Sequence, residues 1–356
     1  MAKVEEILDK VETYKKTDPT GMMEIVGKMP EMTAEAEGFT AYLTIPKVKK
    51  ISRVVVLGMG GSAISGDLAA DLLVKTAKVP IVTNRGYNLP EYVDEETVVI
   101  ALSYSGNTEE TISAVKEAAK RRAAIICLTS GGELKKMAEE KKYPCVLLPG
   151  GLQPRAALPY LLIPLISVLN KLGIAANPSS DIKEAVALLS KLKEEYGPEK
   201  PARQNPAKTL AKKIVGKVPF VFGSVMTTAA VAYRFKTQFN ENSKATAIAG
   251  QFPELNHNEI VNVYALKKEG NGFASIVLRD EADNERIKKR IEITKSLVSR
   301  LVGGTNEVYS QGRSKLARML SLVFFGDYVS VYLALLQGID PTPVEAIAKL
   351  KRELKR

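Results

Sequence analysis

A chain of 356 residues, 45% apolar and 26% charged, has the make-up of a folded protein with room for two domains, each with its own core. Its net charge of +11 is dispersed, dense only at Lys288–Arg290 and Lys349–Arg356, and Trp is absent; this disfavours nucleic acid as a partner and leaves a solvated basic surface or an anionic small substrate. A single histidine, His257, and two cysteines, Cys127 and Cys145, exclude zinc sites built from several His or from closely spaced Cys pairs, and no G-x-S-x-G elbow supports a Ser-His-Asp hydrolase.

The opening MAKVEEILDKVETY has no apolar stretch of the secretory kind and reads as an amphipathic helix with Val4, Ile7, Leu8, Val11 and Tyr14 on one stripe. After a passage bearing Pro and Gly, a regular alternation begins. RVVVLG is a continuous apolar strand, followed by a helix from about Ser62 to Lys75 and by the strands VPIVTN and ETVVIALS. A helix from about Asn107 to Arg122, the strand AAIICLTS, a helix through Met137 and the strand YPCVLLP follow. An apolar helix from about Arg155 to Leu172 closes this unit.

The polar stretch Gly173–Asp181 is the expected linker, so the sequence divides into domains 1–173 and 181–356, with a connecting helix near Asp181–Tyr196. A second alternation then starts: strand KVPFVFG, helix Met226–Asn240, strands VNVYAL and FASIVLRD, and helix Glu281–Leu301. A long helix from about Ser314 to Gln337 and a terminal one from about Pro343 to Lys355 complete the chain. Continuous β-branched strands alternating with helices predict an α/β fold with parallel sheets covered on both faces, one architecture used twice. Pro159 and Pro164 interrupt one apolar segment, and Gly326 and Asp327 the other, so no membrane span is expected. Cys127 and Cys145 read as reduced, buried thiols, and the location expected is cytoplasmic.

Two loops carry chemistry. Gly58-Met59-Gly60-Gly61-Ser62-Ala63 lies between a strand and a helix, where small residues let the backbone meet an anion at a helix N-terminus. It also fits the dinucleotide fingerprint G-x-G-x-x-A, but Thr83, Asn84 and Arg85 stand where that motif wants an acidic residue. In Ser103-Tyr104-Ser105-Gly106-Asn107-Thr108 three hydroxyls and a glycine crowd a second strand-to-helix turn. Asn107 with Glu110 fits a capping box, which leaves Ser103, Ser105 and Thr108 unexplained. Gly61, Ser62, Ser103, Ser105 and Thr108 are therefore the expected cradle for a phosphate monoester.

GMGGSAISG followed by LSYSGNTEET resembles the sugar isomerase (SIS) domain superfamily, and the remainder resembles one branch of it, the bifunctional phosphoglucose/phosphomannose isomerases. The resemblance runs from about Ser52 to Leu350, with Tyr104 a mild departure from the small residue many members carry. It implies two similar doubly wound parallel-sheet SIS domains with flanking helices. It also implies interconversion of glucose 6-phosphate and mannose 6-phosphate with fructose 6-phosphate through a cis-enediol, with neither metal nor cofactor.

By match to the family's motifs, Glu241 is the proton-transfer base, His257 assists ring opening, Arg155 and Lys349 are the active-site cations, and Thr342 leaves the room that strict glucose 6-phosphate enzymes fill. A homodimer is implied too, with active sites near the interface and the histidine delivered by the neighbouring subunit. Plainer readings stand beside these. Glu241 stands at a helix end, Arg155, though a cation at a helix start opposes the macrodipole, could simply point to solvent, and Thr342, Pro343 and Glu345 form a good N-cap, N1 and N3. On that helix Lys349 would lie two turns along the face of Thr342. Alternatives left open are an isomerase of another sugar phosphate, a non-catalytic sugar-phosphate sensor and a dinucleotide-binding protein.

Overall fold

The computed structural model describes residues 7–265, 272–298 and 305–354. Val4, the end of the expected 281–301 helix and Lys355 lie outside the described residues. The chain forms two compact units: residues 29–187 with 312–317 make the first, and the described residues up to 28, 188–311 and 318–354 make the second.

The first unit is built on a parallel sheet in the order β2-β1-β3-β4-β5, with β1 at Arg53–Leu57, β2 at Ile81–Asn84, β3 at Thr97–Leu102, β4 at Ala124–Thr129 and β5 at Cys145–Leu147. Val55 pairs with Val99 and Ile100 with Ile126, so the β-branched runs lie side by side, and β3 is buried along its whole length. Such uninterrupted apolar strands need helices on both faces. Those covering this sheet include Gly60–Leu73, Glu109–Lys120, Gly132–Lys141 and Leu158–Lys171. Cys127 faces Cys145 across β4 and β5, and burial pushes the Cys127 thiol up to about 12, as befits a small core hydrophobe. The chain reverses direction in the sheet at β1 and β3, which opens a crevice beyond their carboxyl ends.

The second unit repeats the plan with one strand fewer: β7-β6-β8-β9, all parallel, with β6 at Val218–Ser224, β7 at Ile248–Phe252, β8 at Phe273–Arg279 and β9 at Thr305–Tyr309. Here the strand expected at VNVYAL is instead the helix Glu259–Ala265, which buries Val263 and exposes Val261. The place beside β6 is already taken by Ile248–Phe252, whose pairing partner decides its conformation more than its own propensity does. The helix Lys315–Leu336 is long and apolar enough to cross a membrane by length and composition, but 94% of its apolar window is buried inside the protein. Gly326 lets it pack: a Cβ there would fall 2.4 Å from the Phe235 ring.

The N-terminal segment belongs to the second unit for a physical reason. Lys208, fully buried in the helix Pro206–Ile214, donates to Leu8 O at 2.6 Å and to Pro198 O at 2.7 Å and pairs with Asp9 at 3.3 Å. Burial lowers the affinity of this ammonium for its proton, and the ring of Tyr332 lies 5.6 Å away.

Candidate functional site

At the carboxyl end of β1, Gly58 lets the following helix start close to the strand; a Cβ there would lie 3.0 Å from Ala63 N. Gly61 has a second duty. Its Cβ would fall 2.6 Å from Pro154 O and 3.0 Å from Arg155 N, so only glycine lets these two segments touch. Arg155 sits in the one-turn 3-10 helix Pro154–Ala156 ahead of the apolar helix, and it is 2% exposed. The exposed-arginine reading is thereby set aside: this guanidinium is buried and has partners.

The loop after β3 meets the same crevice. The Ser62 hydroxyl accepts from Tyr104 N at 3.3 Å, and the Ser103 and Thr108 hydroxyls are 2.9 Å apart. Ser105 is exposed and its hydroxyl accepts from Asn107 N at 3.4 Å. The helix Glu109–Lys120 starts after Thr108, whose backbone is extended, with no side-chain cap bond. Asn107 therefore makes no capping box. Its Oδ1 accepts from Glu133 N at 3.1 Å and its Nδ2 donates to Ser105 O at 3.2 Å, which ties this loop to the start of the helix Gly132–Lys141 that follows β4. Gly106, at φ +69°, is needed there because a Cβ would run into Gly131 O.

Tyr104 carries a role that the sequence did not reveal. Its buried hydroxyl donates to Pro149 O at 2.7 Å and accepts from Leu152 N at 3.2 Å, bracing the loop that leads to Arg155. Burial raises this phenol above its ordinary range, so it stays a neutral donor. Gly61, Ser62, Ser103, Ser105, Thr108 and the Arg155 segment thus gather at the carboxyl ends of β1 and β3. Arg85, the cation a dinucleotide phosphate would need, is ion-paired with Asp67 of the helix Gly60–Leu73.

In the second unit Glu241 is the last residue of the helix Ala229–Glu241 and is half-buried. Among the buried apolar residues of that helix runs a polar line: Arg234 pairs with Asp327 at 2.6 Å, Gln238 donates to Asp327 at 2.8 Å, and Asn242, just past the helix, donates to the Ser330 hydroxyl at 2.9 Å. Arg234, Gln238, Asn242, Asp327 and Ser330 are each no more than 2% exposed. A directional network of this kind admits one register, where an apolar stripe tolerates sliding and rotation.

Thr342 is not a helix cap. The terminal helix is Glu345–Glu353, preceded by Val344 with no side-chain cap bond, and the Thr342 hydroxyl is hydrogen-bonded to that of Thr20. The expected capping box with Glu345 is absent, and Lys349 is not two helical turns from Thr342, because the chain between them is not helical throughout. The Thr342 loop is brought to the end of the Glu241 helix through Lys244. Close by, the Asp18 carboxylate caps the helix Met22–Gly27, accepting from Met22 N and Met23 N at 2.8 Å each. Burial, with Asp340 adding to it, holds that carboxyl above its usual range in spite of those bonds.

His257 and Lys349 project from separate exposed elements. His257 follows the 3-10 turn Glu254–Asn256, with its N–H bonded to Glu254 O at 2.8 Å. Its neighbour Asn256 is anchored to the Thr294 hydroxyl at 2.8 Å. Lys349 stands on a helix with no buried residue, beside Leu350 at 59% exposure. Among the described residues no group of three or more His, Cys, Asp or Glu is placed to hold a metal ion.

Comparisons with known proteins bear on the fold and the family. The family model of the SIS domain matches residues 47–143, and that of the bacterial phospho-glucose isomerase C-terminal SIS domain matches residues 203–354. A bifunctional phosphoglucose/phosphomannose isomerase of Caldicellulosiruptor bescii is 45% identical over 334 residues, covering 94% of this chain and 98% of the relative. A protein of the same name from Thermoplasma volcanium is 38% identical over 310 residues, covering 86% and 93%. The crystal structure of a hypothetical protein from Thermus thermophilus shares the fold, with a TM-score of 0.72 at 16% identity over 98% of this chain and 94% of that one. With a relative 45% identical over 94% of this chain's length, the chain belongs to the bifunctional phosphoglucose/phosphomannose isomerase family.

Proposed function

We propose that the protein interconverts glucose 6-phosphate and mannose 6-phosphate with fructose 6-phosphate through a cis-enediol, using side chains alone. The observation that carries this reading is the hydroxyl-and-glycine cradle at the ends of β1 and β3, which suits a phosphate monoester. There the Ser62, Ser103, Ser105 and Thr108 hydroxyls and the N–H groups of two helix starts anchor the 6-phosphate. His257 assists ring opening by moving the proton of the anomeric hydroxyl to the ring oxygen. The Glu241 carboxylate then takes the proton from C2 and returns it to C1, while Arg155 and Lys349 stabilise the enediolate.

A homodimer accompanies this reading. Val261 and Tyr264, on the short helix just after His257, are 68% and 47% exposed, and Ile293 and Leu297 on the helix packed against it are 50% and 39% exposed. An apolar patch of this kind on an otherwise charged surface calls for a cover, and a second copy supplies it. Light scattering of wild type and of Tyr264→Glu tests this; a monomeric wild type rejects the dimer.

The decisive experiment is a coupled assay of fructose 6-phosphate formation from each aldose, before and after dialysis against EDTA. Both aldoses are expected to be converted, at rates that chelation leaves unchanged. Activity that EDTA abolishes and zinc or manganese restores overturns the side-chain mechanism, and conversion of neither aldose overturns the function.

A further inference from the structure

Three segments far apart in sequence converge in the second unit: residues 18–20, the end of the Glu241 helix, and the loop 337–342. Lys244 is the clip. Its backbone takes φ +51°, a conformation that non-glycine residues rarely adopt, and its ammonium turns back on the helix end. Nζ donates to Glu241 O at 2.9 Å, Asp340 O at 2.8 Å and Pro341 O at 3.1 Å, with Asn242 O at 3.4 Å. An ammonium has three protons, and here four carbonyl oxygens share them. Two of those oxygens belong to the last turn of the Glu241 helix or the residue after it, where carbonyls lack helical partners and a cation is favoured. The other two immediately precede Thr342.

Two further bonds close the arrangement. Gln337 Nε2 donates to Ser243 O at 2.8 Å, and the Thr342 hydroxyl is bonded to that of Thr20. Thr342 N donates to Asp340 Oδ1 at 2.9 Å, which stiffens the turn internally. A long exposed side chain gives up its rotamer freedom only where several charge-assisted bonds reward it. What these bonds hold constant is the position of the Thr342 loop against the helix end that bears Glu241.

We propose that Lys244, with Thr20, is a positioning pair that sets substrate specificity by fixing Thr342 relative to Glu241. The inference rests on the reading of Glu241 as the base and Thr342 as the wall beside C2. The two aldoses differ only in configuration at C2, so one base serves both if the enediol turns about C2–C3. That turn is sensitive to where the wall stands, and mannose 6-phosphate is the epimer that depends on it.

The test uses the full-length protein and the kcat/KM of each epimer. Lys244→Met keeps a long unbranched side chain without its donors. It is expected to lower the mannose-to-glucose ratio by about tenfold, a modest discrimination for a displaced pocket wall. Inhibition by inorganic phosphate is expected to stay unchanged. Thr20→Val is expected to shift the ratio the same way by less, and Thr20→Ser to restore it. A ratio within about twofold of wild type in both folded variants, or an equal loss of both activities, overturns the proposal. If Lys244→Met fails to fold, Thr20→Val decides alone. Wild-type turnover is measured first, so that failure of the isomerase reading is seen separately.

Discussion

The two sheets share a plan, and the difference between their crevices shows what the fold leaves open. In each, the strand order reverses between the first and third strands, β1 and β3 in one and β6 and β8 in the other. In each, a glycine at the end of the first strand admits the following helix: a Cβ on Gly58 would lie 3.0 Å from Ala63 N, and one on Gly223 would lie 2.4 Å from Thr228 O. The loops after the third strand then diverge.

The first sheet ends in hydroxyls at Ser103, Ser105 and Thr108, and the second ends in carboxylates. Asp280 accepts from Arg318 Nε at 3.0 Å and the Ser310 hydroxyl at 2.8 Å; Asp283 accepts from the Thr227 hydroxyl at 2.7 Å; Glu281 accepts from Arg318 Nη1 at 2.8 Å. Asp283 thereby brings an internal negative charge to the start of the helix Ala229–Glu241. On the proposed reading a phosphate belongs to the first crevice, because the carboxylates of the second are already held by Arg318 and by the Thr227 and Ser310 hydroxyls. On that reading one topology serves two ends: anchoring a ligand, and holding the helix that ends in the proposed base, Glu241.

The sharpest way to probe this division is at that far end. Glu241→Gln keeps the shape and removes the proton acceptor, so kcat for both aldoses is expected to fall by roughly 10²–10⁴-fold or more with little change in KM. Deuterium at C2 stops exchanging with solvent; continued exchange assigns the base elsewhere.

The next effect belongs to the first crevice. Ser105→Ala combined with Thr108→Ala is expected to raise KM by roughly tenfold or more, each bond to a charged group being worth about 1.5–3 kcal/mol, while kcat changes less. An unchanged KM for both hexose phosphates removes these hydroxyls from the anchor.

The smallest effect on catalysis is expected from the second crevice. Asp283→Ala removes the acceptor of the Thr227 hydroxyl and of Asp280 N, at a cost of about 1–3 kcal/mol in stability, seen as a lower melting temperature. KM stays at the wild-type value. A rise in KM like that of the serine–threonine variant would break the contrast between the two sheets.

Local patterning made much of this legible. β1, β3, β4, β6 and β8 announce themselves as continuous β-branched or aromatic runs, and a buried parallel strand has few other ways to be written. β7 and β9 do not. Ile248–Phe252 contains Gly250, whose missing Cβ would press on the Phe222 ring at 3.1 Å, and Thr305–Tyr309 mixes polar residues at a sheet edge. Both are strands because a neighbour offers a ladder, a fact absent from their own residues. The hydroxyl-rich loop after β3 was visible as a cluster, whereas the service of Tyr104 as a brace depends on Pro149 and Leu152, over forty residues further on.

By itself the sequence determined the alternation of strands and helices, the two glycine- and hydroxyl-bearing turns, and the residue types that remain for chemistry once one histidine and two cysteines are counted. These follow from side-chain periodicity and backbone sterics, which act over a few residues. Only the tertiary structure decided that residues 7–28 join the second unit, that Arg155 is buried, and that Thr342 leaves the helix start to meet Thr20 across 322 positions of sequence. A cap is a local bond and was a fair expectation for Thr-Pro-Val-Glu. It gave way because the Thr342 hydroxyl found its partner on a distant segment, which only the folded chain brings within reach.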